Sequence, residues 1–174
     1  LGPRDDLMHR LCPVRASQDV PYDLLPRGVI EYLAEHVMLA PGAEFAAGGF
    51  ITTIDDLHRF TEMLRRGGEL DGARILSPAM MRLGTRNCTG TFRNAVWDPL
   101  LSVRRWQEWP AYIGLGSRMR GDAFAPGPFG AMNSPGTFGH FGAGSSGIWV
   151  DPLSGLSYSL LTTGLIEESN NLER

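Results

Sequence analysis

The chain has 174 residues, of which 43% are apolar and 20% are charged, and its formal net charge is −3. These proportions are typical of globular domains and argue against intrinsic disorder, and the length fits one domain. No basic run supports nucleic-acid binding, and no apolar stretch is long enough to cross a membrane.

The N-terminal part of the chain combines an irregular stretch with one helical pattern. Residues 1–27 are rich in proline and show no regular period. Apolar side chains at amphipathic spacing over residues 29–39 predict a short helix or an insertion, and Pro41-Gly42 ends this segment. We assign about residues 1–111 to a helical and loop region of a single domain, and about residues 112–174 to sheet strands followed by the start of a C-terminal helix over residues 165–174.

Two further helices have clear start and stop signals. Thr53 is a suitable N-cap for the first helix, and Gly67-Gly68 predicts its end at about Arg66. Its apolar face consists of Ile54, Leu57, Phe60 and Leu64. Ser77-Pro78 predicts the start of a second, short helix that ends at about Leu83. We expect the first helix to lie in the mostly helical part, away from the sheet.

Residues 135–163 predict three successive antiparallel strands. The strands cover residues 137–142, 147–150 and 156–162. Proline and glycine within the connection 151–155 predict a hairpin, because proline presets φ and glycine accepts positive φ. His140 lies on the first strand, and Gly139 and Gly142 beside it would allow another molecule to approach the backbone closely. We expect His140 at a sheet edge, facing a cleft.

Four segments of the chain resemble one enzyme family, and they occur in that family's order. They are residues 46–60, residues 70–78, residues 112–116, and the triplet His140-Phe141-Gly142 with Trp149-Val150-Asp151-Pro152 after it. The family is that of the β-lactamase-related serine hydrolases: class C β-lactamases, D-alanyl-D-alanine peptidases and esterases of the same fold. The resemblance implies an α+β, penicillin-binding-protein-like fold, incomplete here, with antiparallel sheet strands and part of the helical region. We expect no cofactor and no metal.

The family's nucleophile motif is absent from the chain. The family uses the serine of Ser-x-x-Lys, assisted by Tyr-x-Asn or Tyr-x-Ser, but all 16 Lys/Arg positions here are arginine and no tyrosine fits the second motif. Arginine cannot replace the lysine, because its pKa above about 12 keeps it protonated. We therefore expect the C-terminal half of a larger enzyme, inactive alone, whose sheet is completed by upstream residues, a partner chain or a swapped copy.

The resemblance assigns roles to four residues around the triplet. His140 would take the place of the family's Lys or His, where it can hydrogen-bond the tyrosine and serine of the absent motifs and place positive charge near a leaving group or a carboxylate. The backbone N–H of Ala143 would form half of an oxyanion hole, and Gly142 would keep the strand free of a side chain where substrate lies. Phe141 departs from the family, because it lacks the hydroxyl that binds a substrate carboxylate. It favours an ester or amide without that group.

Other residues carry weaker signals. Ser145 and Ser146 fit a turn better than a nucleophile, because Gly-x-Ser-x-Gly spacing is absent. Cys12 and Cys88 are predicted to be buried or free thiols, and the histidines outside the triplet do not reach metal-ligand spacing. Three tryptophans fit a protein core and an acyl pocket equally well: Trp97, Trp106 and Trp109.

Several functions stay open at this point. The first is a serine hydrolase or acyltransferase that acts on a small ester or amide through an acyl-enzyme. The second is a catalytically inactive binding or scaffold module of the same fold, and an intact upstream or partner Ser-x-x-Lys distinguishes the two. A third, an unrelated β-rich binding domain, requires the four matches to be accidental. We expect a soluble protein without a nucleic-acid partner, and the sequence does not decide between the cytoplasm and a secreted or periplasmic location.

Overall fold

A computed structural model of the chain describes residues 5–16, 27–40, 42–43, 50–95, 98, 101–102, 105–123, 129–142 and 146–165. The chain divides into two compact units. The smaller consists of Leu1–Thr53, Gly142–Ser146 and Leu161–Arg174, and the larger of Ile54–Phe141 and Gly147–Leu160. The assignment of residues 1–174 to one domain stays a prediction.

The described residues of the smaller unit form short helices and one strand pair. A 3₁₀-helix over Asp5–Arg10 precedes strand β1, and helix α1 continues directly into a π-helical turn. Their bounds are β1 Arg15–Ala16, α1 Arg27–Tyr32 and the π-helical turn Leu33–Met38. This confirms the helical segment predicted over residues 29–39. β1 pairs in parallel with β8 (Gly164–Leu165), so the C-terminal helix predicted from Leu165 is wrong at its first residue, and residues 166–174 lie outside the described residues.

Helix α2 (Ile54–Arg65) begins the larger unit and ends as predicted. Gly67 and Gly68 have φ of 71° and 94°, in the left-handed region that favours glycine. Their N–H groups donate to the carbonyls of Leu64 (3.0 Å) and Met63 (2.9 Å), which satisfies the last turn of the helix. The two glycines therefore both stop the helix and reverse the chain.

A small hairpin and a second helix follow α2. β2 (Glu69–Leu70) and β3 (Ala73–Arg74) pair antiparallel. Helix α3 (Pro78–Gly84) then begins where Ser77-Pro78 predicted, because the Ser77 hydroxyl accepts a hydrogen bond from the N–H of Met80 at 3.1 Å.

The main sheet of the larger unit has four antiparallel strands in the order β4-β5-β6-β7. Their bounds are β4 Arg118–Met119, β5 Phe138–Phe141, β6 Gly147–Asp151 and β7 Leu156–Leu160. The three strands predicted within residues 135–163 are confirmed, with ends that differ by one or two residues. β7 is the last strand, and among the described residues no strand pairs with its outer side.

Side chains alternate between two faces of this sheet. One face, called the helix face here, carries Phe138, His140, Ile148, Val150, Ser157 and Ser159. The other, the aromatic face, carries Gly139, Phe141, Gly147, Trp149, Tyr158 and Leu160. On the aromatic face, Trp149 stacks on Tyr158 with ring centroids 5.4 Å apart.

Helix α2 packs on the helix face, so the expectation that it lies away from the sheet is wrong. The hydroxyl of Thr61 lies 2.9 Å from that of Ser159, and Ser157 donates to a carboxylate oxygen of Glu62 at 2.5 Å. Buried hydroxyls need hydrogen-bond partners, and the serines of β7 supply them to the helix. The predicted apolar face is not the buried one, because Ile54 and Phe60 stay 46% and 49% exposed.

Candidate functional site

His140 lies near the end of β5, at a point where the neighbouring strand has stopped. β4 pairs only with Phe138 and Gly139, through Met119 and Arg118. From His140 onward, the described residues place β6 on one side of β5 and no strand on the other. β5 is thus an inner strand that becomes an edge at His140.

The backbone of Phe141 is directed toward this open side. The N–H of Arg120 donates to the carbonyl of Thr137 at 2.9 Å, and the direction of hydrogen bonding alternates along an antiparallel strand. The alternation turns the N–H and C=O of Phe141 toward the side where β4 has ended, and those of His140 toward β6. An extended ligand could form strand-like hydrogen bonds at this position.

The imidazole of His140 is held toward its neutral form. Solvent reaches the side chain, but the surrounding protein removes enough water to lower its pKa, and the positive charge of Arg118 on β4 lowers the pKa further. A hydrogen bond of the ring with the backbone of Phe141 opposes both effects. A neutral imidazole can accept a proton near neutral pH, which is the property that acid–base catalysis requires.

Phe141 faces away from His140 and is packed. Its ring lies on the aromatic face, 5.9 Å from that of Phe129, which is only 4% exposed. Gly147 makes room for it, because a Cβ at that position would come within 2.3 Å of the Phe141 ring. The Phe141 ring is therefore packed on the face of the sheet opposite to the one that carries the His140 side chain.

The other two predicted site residues belong to the smaller unit. Gly142 donates its N–H to the carbonyl of Ser146 at 2.9 Å. Ala143 lies outside the described residues, as does Ser145, so the oxyanion-hole assignment stays a prediction. The hydroxyl of Ser146 accepts a hydrogen bond from the N–H of Thr162 at 3.3 Å, which fits the turn role expected for this serine.

Asp151 is a buried carboxylate that the sequence patterns did not single out as important. It is 3% exposed and accepts the N–H (2.9 Å) and hydroxyl (2.5 Å) of Ser134, and the N–H groups of Leu153 (3.0 Å) and Ser154 (3.3 Å). Burial alone would raise its pKa, but these hydrogen bonds outweigh burial and hold the pKa well below its usual range. Asp151 therefore joins the β6–β7 turn to the segment that precedes β5. The Asp-Pro turn was visible in the sequence, but its partner Ser134 was not.

The remaining predicted features lie elsewhere. Cys12 and Cys88 are both exposed free thiols, so the buried alternative is wrong. Trp97 lies outside the described residues, while Trp106 and Trp109 are half-buried. The part of the chain that the structure describes holds no group of three or more His, Cys, Asp or Glu residues suited to a metal ion. None of its helices has the length and apolar character needed to span a bilayer.

Comparison with known proteins supports the resemblance noted in the sequence. The solved structures that share the fold include a β-lactamase from Mycobacterium bovis and a penicillin-binding-protein homologue from Caulobacter crescentus. The first is 26% identical, with a TM-score of 0.54, over 69% of this chain and 39% of its own. The second is 22% identical, with a TM-score of 0.58, over 98% of this chain and 45% of its own, and at that identity it supports the fold alone.

The chain thus spans less than half the length of either protein. No curated protein sequence matches it. The family model of the β-lactamases matches residues 13–174, which is most of the sequence. Together with the antiparallel sheet and its helices, this match establishes the α+β, penicillin-binding-protein-like fold. The chain belongs to the β-lactamase family.

Proposed function

We propose that this protein is part of a serine hydrolase or acyltransferase that forms an acyl-enzyme on an ester or amide substrate. One observation carries the proposal. His140, the first residue of the family's triplet, lies where β5 becomes an open edge, and burial and Arg118 lower its pKa. Membership of the β-lactamase family supports the same chemistry.

In this mechanism, His140 exchanges protons with the nucleophile or the leaving group. The substrate lies along the open side of β5, where the backbone of Phe141 offers hydrogen bonds, and Gly142 leaves room for it. The N–H of Ala143 donates to the developing oxyanion. The nucleophile comes from a Ser-x-x-Lys motif outside these 174 residues, because the chain contains no lysine.

The substrate we propose is an ester or amide without a carboxylate next to the reacting group. The central residue of the triplet offers no hydroxyl to such a carboxylate, and its ring is held against Phe129 on the aromatic face. A simple acyl ester is therefore favoured over a β-lactam or a peptide with a free C-terminus.

We further propose that the outer side of β7 pairs with a strand from outside residues 1–174, either upstream sequence or a second chain. β7 is the final strand of the sheet within the described residues, and its first residue, Leu156, is 55% exposed. An unpaired strand edge with apolar side chains is a surface that other strands cover.

A catalytically inactive module of the same fold is the second candidate. The absence of lysine favours it, since the chain alone cannot activate a serine in the family's way. The presence or absence of Ser-x-x-Lys in the longest natural form of the protein separates the two candidates.

The test is the turnover of a chromogenic acyl ester by the longest natural form of the protein. His140→Ala should lower turnover by about 10²–10⁴-fold, the usual range for a positioned acid–base group. His58→Ala, on the exposed surface of α2, is the matched control and should leave turnover within about twofold. Equal turnover in the wild type and His140→Ala, with the wild type active, would make His140 a structural residue.

A further inference from the structure

Several contacts fix the loop of residues 129–137, which leads into β5. The N–H groups of Arg120 and Gly121 donate to the carbonyls of Thr137 and Pro135, and three further contacts hold the rest of the loop. Its middle is held by Asp151, which accepts both the N–H and the hydroxyl of Ser134. The guanidinium of Arg120 donates to the carbonyl of Ala131 at 2.9 Å. At its start, the ring of Phe129 packs against the ring of Phe141. The loop therefore contacts β5 at both ends of the strand.

The contacts within the loop connect these fixed points. The side-chain amide of Asn133 donates to the carbonyl of Phe129 at 2.6 Å, and Ser134 is the next residue along the chain. A displacement at Ser134 would therefore be transmitted to Phe129 through one hydrogen bond and one peptide link.

Phe129 acts on the end of β5 that has the least support. β4 pairs with Phe138 and Gly139 but not with Phe141, so within the part of the chain that the structure describes this end has a strand on one side only. The ring of Phe141, seated over Gly147 and against Phe129, supplies side-chain contact in its place. His140 directly precedes Phe141 on β5, so a movement of the Phe141 end of the strand also moves the backbone of His140.

We propose that residues 129–137 are a positioning element for His140, in which Asp151 fixes the loop through Ser134 and Phe129 carries that constraint to the Phe141 end of β5. The catalytic part of this proposal rests on the proposed function of His140. The structural part, that Phe129 determines where Phe141 and the His140 ring lie, can be measured without an activity assay.

The first experiment compares two aromatic pairs on the same face of the sheet. Phe129→Leu keeps an apolar side chain but removes the ring, and Tyr158→Leu does the same to the Trp149–Tyr158 pair. We expect Phe129→Leu to speed amide exchange at His140 by about tenfold and to shift the NMR titration of its ring toward the ordinary value, because the end of β5 loosens and admits water. Tyr158→Leu should change neither quantity.

The second experiment removes one hydrogen bond and uses turnover in the longest natural form of the protein. Ser134→Ala deletes the hydroxyl that donates to Asp151, and Ser77→Ala deletes a comparable structural contact at the start of α3. Both should lower the melting temperature slightly, but only Ser134→Ala should reduce kcat, by about threefold to tenfold, with KM nearly unchanged. Ser134→Thr keeps a hydroxyl and should restore kcat.

The outcomes separate the two proposals. If Phe129→Leu shifts the His140 signals while His140→Ala leaves turnover unchanged, the positioning role stands and the proposed catalytic role fails. Equal changes at His140 in Phe129→Leu and Tyr158→Leu, or no change in either, would overturn the positioning role. If Phe129→Leu does not fold, Ser134→Ala decides, since unchanged His140 signals and kcat in that variant would also overturn it.

Discussion

The open side of β5 at His140 and the outer side of β7 both lack a paired strand among the described residues. They differ in how much support each receives from the rest of the chain. At the His140 end of β5, the loop of residues 129–137 braces the strand, and Phe141 is packed on Phe129. At β7, hydrogen bonds to α2 cover one face, but Leu156 is exposed and the outer side has no strand among the described residues. A strand edge that packed residues hold in place is suited to binding a ligand, whereas an exposed apolar strand edge is suited to pairing with another strand.

The strongest test of this comparison is to express residues 1–174 alone. Each large apolar side chain left in water forgoes roughly 1.5–3 kcal/mol of burial, against a total domain stability of about 5–15 kcal/mol. We therefore expect no monomeric, cooperatively unfolding and active protein, but self-association through β7. Size-exclusion chromatography, denaturant unfolding and an esterase assay measure this, with the longest natural form as the control. A stable, active monomer would contradict both the open edge at β7 and the assignment of the nucleophile to other residues.

The loop of residues 129–137 should depend on the buried carboxylate of Asp151 for its stability. Asp151→Asn leaves one amide oxygen to meet four hydrogen-bond donors and sets an NH₂ group against some of them, so we expect a loss of about 2–4 kcal/mol in unfolding free energy. Asp71→Asn is the control, because Asp71 forms an exposed ion pair with Arg59 and its loss should cost less than about 1 kcal/mol. Urea unfolding of both variants gives the two values. Equal losses would mean that Asp151 does not brace the loop.

The features that the sequence predicted correctly are those set by neighbouring residues. Gly67-Gly68 ends α2 and Ser77-Pro78 starts α3 because each signal acts within one turn of the chain. The three strands and the Asp151–Gly155 turn follow from alternation and from glycine and proline in the same way.

The features that the sequence missed depend on residues far apart in the chain. α2 lies on the sheet because its Thr61 and Glu62 meet Ser159 and Ser157 of β7, and no pattern links those positions. Similarly, the packing of Phe141 needs the empty space above Gly147, which only strand pairing creates. The family triplet predicted the residues of the candidate site, and those roles stay predictions, but no pattern pointed to Phe129, Ser134 or Asp151, which hold that part of the sheet.

The contact between α2 and β7 can be tested by measuring how the stability of the protein changes at acidic pH. Hydrogen bonds from Arg65 and then Ser157 lower the pKa of Glu62 from 4.5 to about 2. Because the folded-state pKa is the lower one, the folded protein binds fewer protons in this interval, so the stabilisation is full above about pH 4.5 and is lost as the pH falls through about 2. Glu62→Gln should cost about 1 kcal/mol at neutral pH and nothing at the acid end.

Denaturant unfolding of the wild type and Glu62→Gln across this pH range is the measurement. Glu69→Gln, whose carboxylate pairs with Arg74 on the small hairpin, is the control for a general effect of removing one acidic group. A constant difference between the wild type and Glu62→Gln at every pH would mean that this carboxylate does not hold α2 to β7.

The smallest expected effect lies at His140 itself. Burial and the charge of Arg118 lower its pKa from the ordinary value of 6.5, so the unfolded chain binds the proton more readily than the folded one. The stabilisation from a neutral His140 is therefore present above that value and decreases as the pH falls below it. Because solvent reaches the side chain, the effect should be only a slight fall in melting temperature between about pH 7.5 and about pH 5.5, and His140→Gln should reduce that fall. A variant whose melting temperature changes with pH as much as the wild type's would mean that the surroundings of His140 do not favour its neutral form, and the proton-accepting role of this open side would lose its support.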